Sequence, residues 1–175
     1  AAVVAQTQCS QARRAAMWNT YTAPLMPYPA HIGLPDDIMQ RDLLREFVTA
    51  NKNILKKFRL TGTNSTMTML KEVFKDEPPG TVVFGPACAS GPLGGDAELV
   101  AYMVSGKIGG VIFFQDPMSP HPHRADIDCL VRQGNVHNIL MMNNPCSAHV
   151  CMNTCRVALK TVHLEMIPSF FFDLE

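Results

Sequence analysis

Three short stretches of the chain concentrate the residue types that acid–base and anion chemistry need. The first is Ser90-Gly91-Pro92-Leu93-Gly94-Gly95-Asp96. Its glycines let backbone come close to a small ligand. Asp96 then opens an apolar stretch, through Leu99, Val100, Tyr102 and Met103, that reads as a helix. A carboxylate in that position is either a structural N-cap or a general base. The second stretch runs from Asp116 to Asp126 and holds Asp116, His121, His123 and Asp126 in one Pro-rich segment. An Asp base with a His that carries protons serves a reaction through an enediolate, where a carbon-bound proton leaves and an oxygen is protonated. His-x-His with Asp is also ligand-like for a metal, and a solvated loop with Asp126 capping the next helix is a third reading. The third stretch is Thr61-Gly62-Thr63-Asn64-Ser65-Thr66. Hydroxyls and free backbone N–H groups at a helix N-terminus hold phosphate, and an ordinary capping loop has the same composition.

A further cluster is Cys146, His149, Cys151 and Cys155. Cys151 and Cys155 share a helix face, but zinc sites usually draw ligands as separated pairs, so a buried apolar helix face is the expectation. The six cysteines form no small disulfide framework, and a chain of 175 residues with 47% hydrophobic content can fold without one. Reduced, mostly buried thiols are expected. Fifteen basic and fifteen acidic residues balance to a formal charge of zero. That balance marks neither a nucleic-acid partner nor a membrane surface, both of which call for a basic excess. No uninterrupted apolar run approaches the roughly 20 residues that span a bilayer.

The elements that would position these stretches alternate. Asp36-Asp37 can cap a helix carried by Ile38, Leu43, Leu44, Phe47, Val48, Ile54 and Leu55, with Lys56 and Lys57 at its end. Phe58–Leu60 reads as a short strand, residues 61–66 as a loop, and a helix follows to about Phe74. Thr81–Phe84 reads as a buried strand and Gly85–Gly95 as a loop. Val111–Phe114 is an apolar strand of the kind covered on both faces. A helix from about Asp126 to Arg132, a strand at Ile139–Met142, a helix through Cys151 to Leu159 and a last strand at Val162–Ile167 complete the pattern. It predicts an α/β domain: a three-layer, flavodoxin- or Rossmann-like parallel sheet with helices on both faces. In such sheets ligands bind at the carboxyl ends of the strands, where all three stretches fall.

Residues 1–35 differ from the rest. They contain Arg13 and Arg14 but no Asp or Glu, and they carry Pro24, Pro27, Pro29 and Pro35. Residues 21–35 are expected to be extended and not helical. An extended arm over 1–35 and a domain over 36–175 are the expected units. An acid-free, Arg-bearing, Ala-rich start resembles organelle-targeting sequence (mitochondrion or plastid), and a first residue Ala1 in place of Met fits processing. A cytoplasmic location is the alternative.

Taken in order, the motifs resemble the methylglyoxal synthase family. The similarity runs from about His31 to Pro168. It is strongest across Ser90–Asp96, Ser105-Gly106-Lys107-Ile108, Val111–Pro117, His123–Asp126 and Asn138–Asn143. A Gly-Pro-x-Gly-Gly-Asp loop followed by Phe-Phe-x-Asp-Pro and Pro-His-x-x-Asp is highly specific. The resemblance implies conversion of dihydroxyacetone phosphate to methylglyoxal and phosphate, without metal or organic cofactor, in a homohexamer of flavodoxin-like subunits. By motif, Asp96 matches the catalytic base and His123 the histidine that moves protons between substrate oxygens. Asp126 and Asp116 match supporting acids. Thr61, Thr63, Ser90 and Gly91 match positions that hold phosphate and backbone.

The chain also departs from the family pattern. Asp37, Ile38 and Arg41 stand where the family has His, Asp and Lys, and Arg41 can still hold phosphate. Asn64 and Ser65 replace the last two members of a Thr-Gly-Thr-Thr-Gly loop, and the family's C-terminal arginine aligns near Phe172. The leading expectation is a synthase-type lyase. The alternatives are a catalytically impaired relative serving as an accessory subunit of an organellar assembly through its arm and Phe170–Phe172, or a regulatory domain that binds a phosphorylated metabolite.

Overall fold

The computed structural model describes residues 29–32, 38–115, 118 and 122–161. Five parallel strands form one sheet: β1 (Pro29–Ile32), β2 (Arg59–Thr63), β3 (Val83–Cys88), β4 (Gly110–Ile112) and β5 (Leu140–Met142), in the order β3-β2-β1-β4-β5. The helices are α1 (Ile38–Ala50), the one-turn α2 (Lys52–Leu55), α3 (Asn64–Val73), α4 (Gly95–Val104), α5 (Arg124–Val136) and α6 (Pro145–Thr161). The chain steps outward from β1 to β3, then crosses back to β4 and steps out to β5. Right-handed crossovers therefore put α1 and α3 on one face and α4 and α5 on the other. The packing agrees, since α1 lies against α3 and α6 while α4 lies against α5. This is the expected three-layer, doubly wound sheet, and its strand order reverses at β1. Among the described residues no helix is long and apolar enough to cross a membrane.

Several expected boundaries move. Pro29–Ile32 pairs with β2 on one side and β4 on the other, so the domain begins before residue 36. Without that strand the sheet would split in two, so residues 29–32 cannot belong to a separate arm. The rest of the expected arm before residue 29, the strand at Val162–Ile167 and Phe170–Phe172 lie outside the described residues. The first helix does not run on to Lys57. It breaks at Asn51, which is buried and whose side-chain amide donates to the Phe47 carbonyl at 2.8 Å, competing with the helix ladder. The strand expected at 81–84 lies instead at Val83–Cys88 and is not buried throughout. It is the sheet's edge, pairing with β2 alone, and Pro86, which has no N–H to offer a partner, suits an edge. The expected mostly buried thiols divide: Cys88 and Cys155 are buried, Cys151 half-buried, and Cys129 and Cys146 exposed, all five unbridged. His149, expected on a buried face, is also exposed, though its ring packs edge-on against Phe47 with centroids 5.1 Å apart.

The core lies on both faces of β4. Gly110, Val111 and Ile112 are all buried, as are Phe113 and Phe114 beyond them. Phe113 N–H donates to the Met142 carbonyl at 2.9 Å, which carries the pairing with β5 past the strand's formal end. Phe114 meets Phe47 of α1 edge-to-face, with centroids 5.5 Å apart. This contact anchors the start of the segment that leads to His123. Phe114→Ala is expected to cost about 3–5 kcal/mol through lost burial and a cavity, read as a lowered urea midpoint with an unchanged m-value.

Candidate active site

β2 runs into α3 with no intervening loop. Thr63 is both the last residue of the strand and the N-cap of the helix, with extended backbone at φ −63° and ψ 161°. No side chain caps α3. The Thr63 hydroxyl instead pairs with that of Thr66 at 3.1 Å, both residues being buried. The first-turn N–H groups of α3 thus face the carboxyl end of the sheet without a side-chain acceptor, the arrangement that receives an anion. The capping reading of this stretch does not hold. Thr61 is set back from this point. It is buried in β2, and its hydroxyl donates to the Pro86 carbonyl on β3, so its proton is used in stitching two strands together. Asn64 and Ser65 are exposed in the first turn of α3.

The end of β3 folds back tightly. The Ser90 carbonyl accepts from both Leu93 N–H at 2.9 Å and Gly95 N–H at 3.0 Å, around a single 3-10 turn, Gly91–Leu93. Ser90 leads that turn without committing its hydroxyl to a cap. Gly94 takes the N-cap position of α4 at φ 94°, a left-handed conformation that favours glycine. A Cβ at Gly95 would stand 2.0 Å from the Ala89 carbonyl oxygen. Asp96 is therefore not the cap of α4. It sits in the first turn, 3% exposed, where the helix dipole favours its negative charge.

His123 arrives from the other side of the sheet's switch point, as the residue that leads into α5. Its Nε2 lies 3.4 Å from Asp96 Oδ2, and both side chains are nearly buried. Gly91 closes the group, since a Cβ there would stand 2.9 Å from His123 Nε2 and 3.1 Å from Asp96 Oδ2. The structure thus brings together Gly91, Asp96 and His123, with Ser90 beside them in the chain. A separation of 3.4 Å is long for a hydrogen bond. It is the kind of spacing an acid–base pair shows before a ligand tightens it. Asp126 is half-buried in the first turn of α5, its N–H bonded to the His123 carbonyl at 3.0 Å, and it does not occupy the cap position. Asp116, Asp37 and His121 lie outside the described residues, as does the side chain of Arg41. Among the described residues no three His, Cys, Asp or Glu side chains gather as a metal site would require.

These observations carry a comparison with known proteins. No family model matches the chain. The chain is 36% identical to the methylglyoxal synthase of Maridesulfovibrio salexigens over 124 residues, covering 67% of this chain and 78% of that protein. It is 33% identical to the methylglyoxal synthase of Cupriavidus pinatubonensis over 129 residues, covering 74% and 85%. With the methylglyoxal synthase of Treponema socranskii the identity is 38% over 104 residues, which span 59% of this chain and 65% of that protein. Among solved structures, the crystal structure of methylglyoxal synthase from Elizabethkingia anophelis superimposes with a TM-score of 0.59 at 29% identity, covering 74% of this chain and 78% of that one. The chain belongs to the methylglyoxal synthase family.

Membership gives the glycine loop a physical reading. In this methylglyoxal synthase fold Gly91 stands where any side chain would wedge between Asp96 and His123, and Gly95 where one would strike backbone. Gly95→Ala cannot be absorbed by a rotamer change, and it is expected to cost about 3 kcal/mol or more by overpacking, seen as a fall in Tm. Gly91→Ala meets only side-chain ends. It is expected to fold with near-wild-type Tm while pushing the Asp96 and His123 side chains apart.

Three residues near the site carried no chemical signal in the sequence. Asn143, at the carboxyl end of β5, has a buried side-chain oxygen with no hydrogen-bond partner among the described residues. Cys88 ends β3, 2% exposed. Burial first, then the Glu98 carboxylate and more weakly Asp96, push its thiol up to about 12. Only the assembled neighbourhood makes Cys88 and Glu98 notable. Because that thiol ionises near its ordinary value of 9.0 once unfolded, the folded state binds the proton more tightly. The resulting stability is present in full below pH 9 and is lost as pH rises towards 12. Cys88→Val removes this contribution, so the difference in urea midpoint between wild type and variant is expected to change between pH 8 and pH 10.5 in the direction of a less alkali-sensitive variant.

Proposed function

We propose that the chain is a phosphate-eliminating lyase that converts dihydroxyacetone phosphate to methylglyoxal and inorganic phosphate. The observation that carries this reading is the buried Asp96 carboxylate facing His123 Nε2 at 3.4 Å beside Gly91, where a Cβ would crowd both groups. The family relatives are named for this reaction.

The chemistry follows from that pair. Asp96 takes a proton from the hydroxymethyl carbon, and the electron pair moves onto the carbonyl oxygen to give an enediolate. Phosphate can leave only when negative charge sits on the other oxygen, the one borne by the former hydroxymethyl carbon. A proton must therefore pass from one oxygen to the other. His123, within reach of the base and nearly buried, performs that transfer. The C–O bond to phosphate then breaks with its electron pair, leaving an enol that tautomerises to methylglyoxal. The phosphate group lies against the uncapped N-terminus of α3, with the Ser90 hydroxyl and Gly91 N–H on its flank. The family pattern assigns Arg41, in the first turn of α1, the role of a cation for the phosphate. The family pattern assigns Asp126 and Asp116 supporting acidic roles.

The test is phosphate release from dihydroxyacetone phosphate by the purified protein. Asp96→Asn and His123→Asn are each expected to lower kcat by about 10²–10⁴-fold, the range for loss of one acid–base group. Wild-type rates in Asp96→Asn would remove its assigned role.

A further inference from the structure

The loop that carries Gly91 is held to α4 by more than its glycines. Ala89 lies one residue past the last β2–β3 pair, Thr63 with Cys88. Its N–H donates to Glu98 Oε1 at 3.4 Å. The neighbouring Cys88 thiol is buried, and the same carboxylate is among the groups that hold it protonated. The donor comes from the end of β3, and the acceptor belongs to the first turn of α4. Glu98 stands two residues after Asp96, which on a helix turns it to roughly the opposite side. Asp96 faces His123, and Glu98 faces back to the strand. Between the two anchoring points runs the turn Gly91–Leu93, whose first residue abuts both Asp96 and His123.

We propose that Glu98 is a positioning residue: by holding Ala89 N–H it ties the end of β3 to α4, and so fixes Gly91 against Asp96 and His123. The proposal rests on the reading of Asp96 and His123 as the acid–base pair. Glu98 touches neither the substrate nor the reacting atoms. Its effect is transmitted through backbone, from Ala89 along the turn to Gly91.

The role predicts a particular pattern. Glu98→Gln keeps an acceptor oxygen at the same reach, whereas Glu98→Ala removes it and Glu98→Asp withdraws it by one methylene. With dihydroxyacetone phosphate as substrate, Glu98→Ala and Glu98→Asp are expected to lose about 10- to 100-fold in kcat, with KM changed less than about threefold because the phosphate sits on α3. Glu98→Gln should stay within about threefold of wild type in both constants. A second readout needs no turnover: alkylation of Cys88 by N-ethylmaleimide on the native protein, located by peptide mass spectrometry. Cys88 should be protected in wild type and Glu98→Gln and labelled in Glu98→Ala and Glu98→Asp, with far-UV circular dichroism showing all four folded. Wild-type kcat and a protected Cys88 in Glu98→Ala would overturn the proposal. So would a Glu98→Gln as impaired as Glu98→Ala, which would point to charge and not to hydrogen-bond acceptance. If wild type itself releases no phosphate, the lyase reading fails, and the Cys88 labelling still decides whether the tie exists. Should Glu98→Ala not fold, the Asp and Gln variants alone give the comparison.

Discussion

The site depends on one close approach: the backbone of the turn after β3 must lie against the first turn of α4 and the tip of His123 at once. The strands that deliver these pieces, β3 and β4, are not neighbours, since β2 and β1 stand between them. α4 crosses the sheet between them and packs on α5, whose N-terminus carries His123. The contact at Gly91 is where the two delivery routes meet. A single methyl group there would stand less than 3 Å from an imidazole nitrogen, so the tolerance is smaller than one carbon atom. Sheet order, the packing of α4 on α5 and the anchoring of Phe114 on Phe47 all serve to bring the two turns to that distance.

Helix geometry supplies the electrostatics. In a parallel sheet with right-handed crossovers the N-termini of the helices gather at the carboxyl ends of the strands. Asp96 occupies the first turn of α4, Asp126 that of α5, and the uncapped start of α3 faces the same edge. Backbone N–H groups with their dipoles offset part of the burial cost of Asp96 and give the start of α3 the chemistry that receives an anion. That bears on the departures from the family pattern at Asp37, Ile38 and Phe172. Those departures change side chains, whereas the α3 site is made of backbone, which side-chain replacement leaves in place.

Much of the fold was legible because its signals are local. The apolar run Val111–Phe114 could only be a strand covered on both faces, and alternation of strand and helix with short connections leaves few topologies besides a doubly wound sheet. The boundaries that moved did so for tertiary reasons. Thr61–Thr66 reads as a polar loop because hydroxyls suit loops, yet its first half completes β2 and its second half begins α3. Asn51 breaks the first helix through its own amide, which composition alone does not reveal. Edge status made β3 longer and less buried than its apolar start suggests.

The sequence by itself determined the family and the sheet class and made Asp96 and His123 candidates, because a glycine loop followed by a carboxylate and a Pro-His-x-x-Asp segment are spacings along the chain. Tertiary structure decided which of the candidates meet. It joined Asp96, His123 and Gly91, turned the Thr61 hydroxyl into a link between strands, moved the capping role from Asp96 to Gly94, and drew Cys88 and Glu98 into the neighbourhood. The physical reason is that capping, burial and hydrogen-bond partnership are distances in space. Asp96 and His123 lie on different helices, and only the crossing of α4 over the sheet sets the 3.4 Å between them.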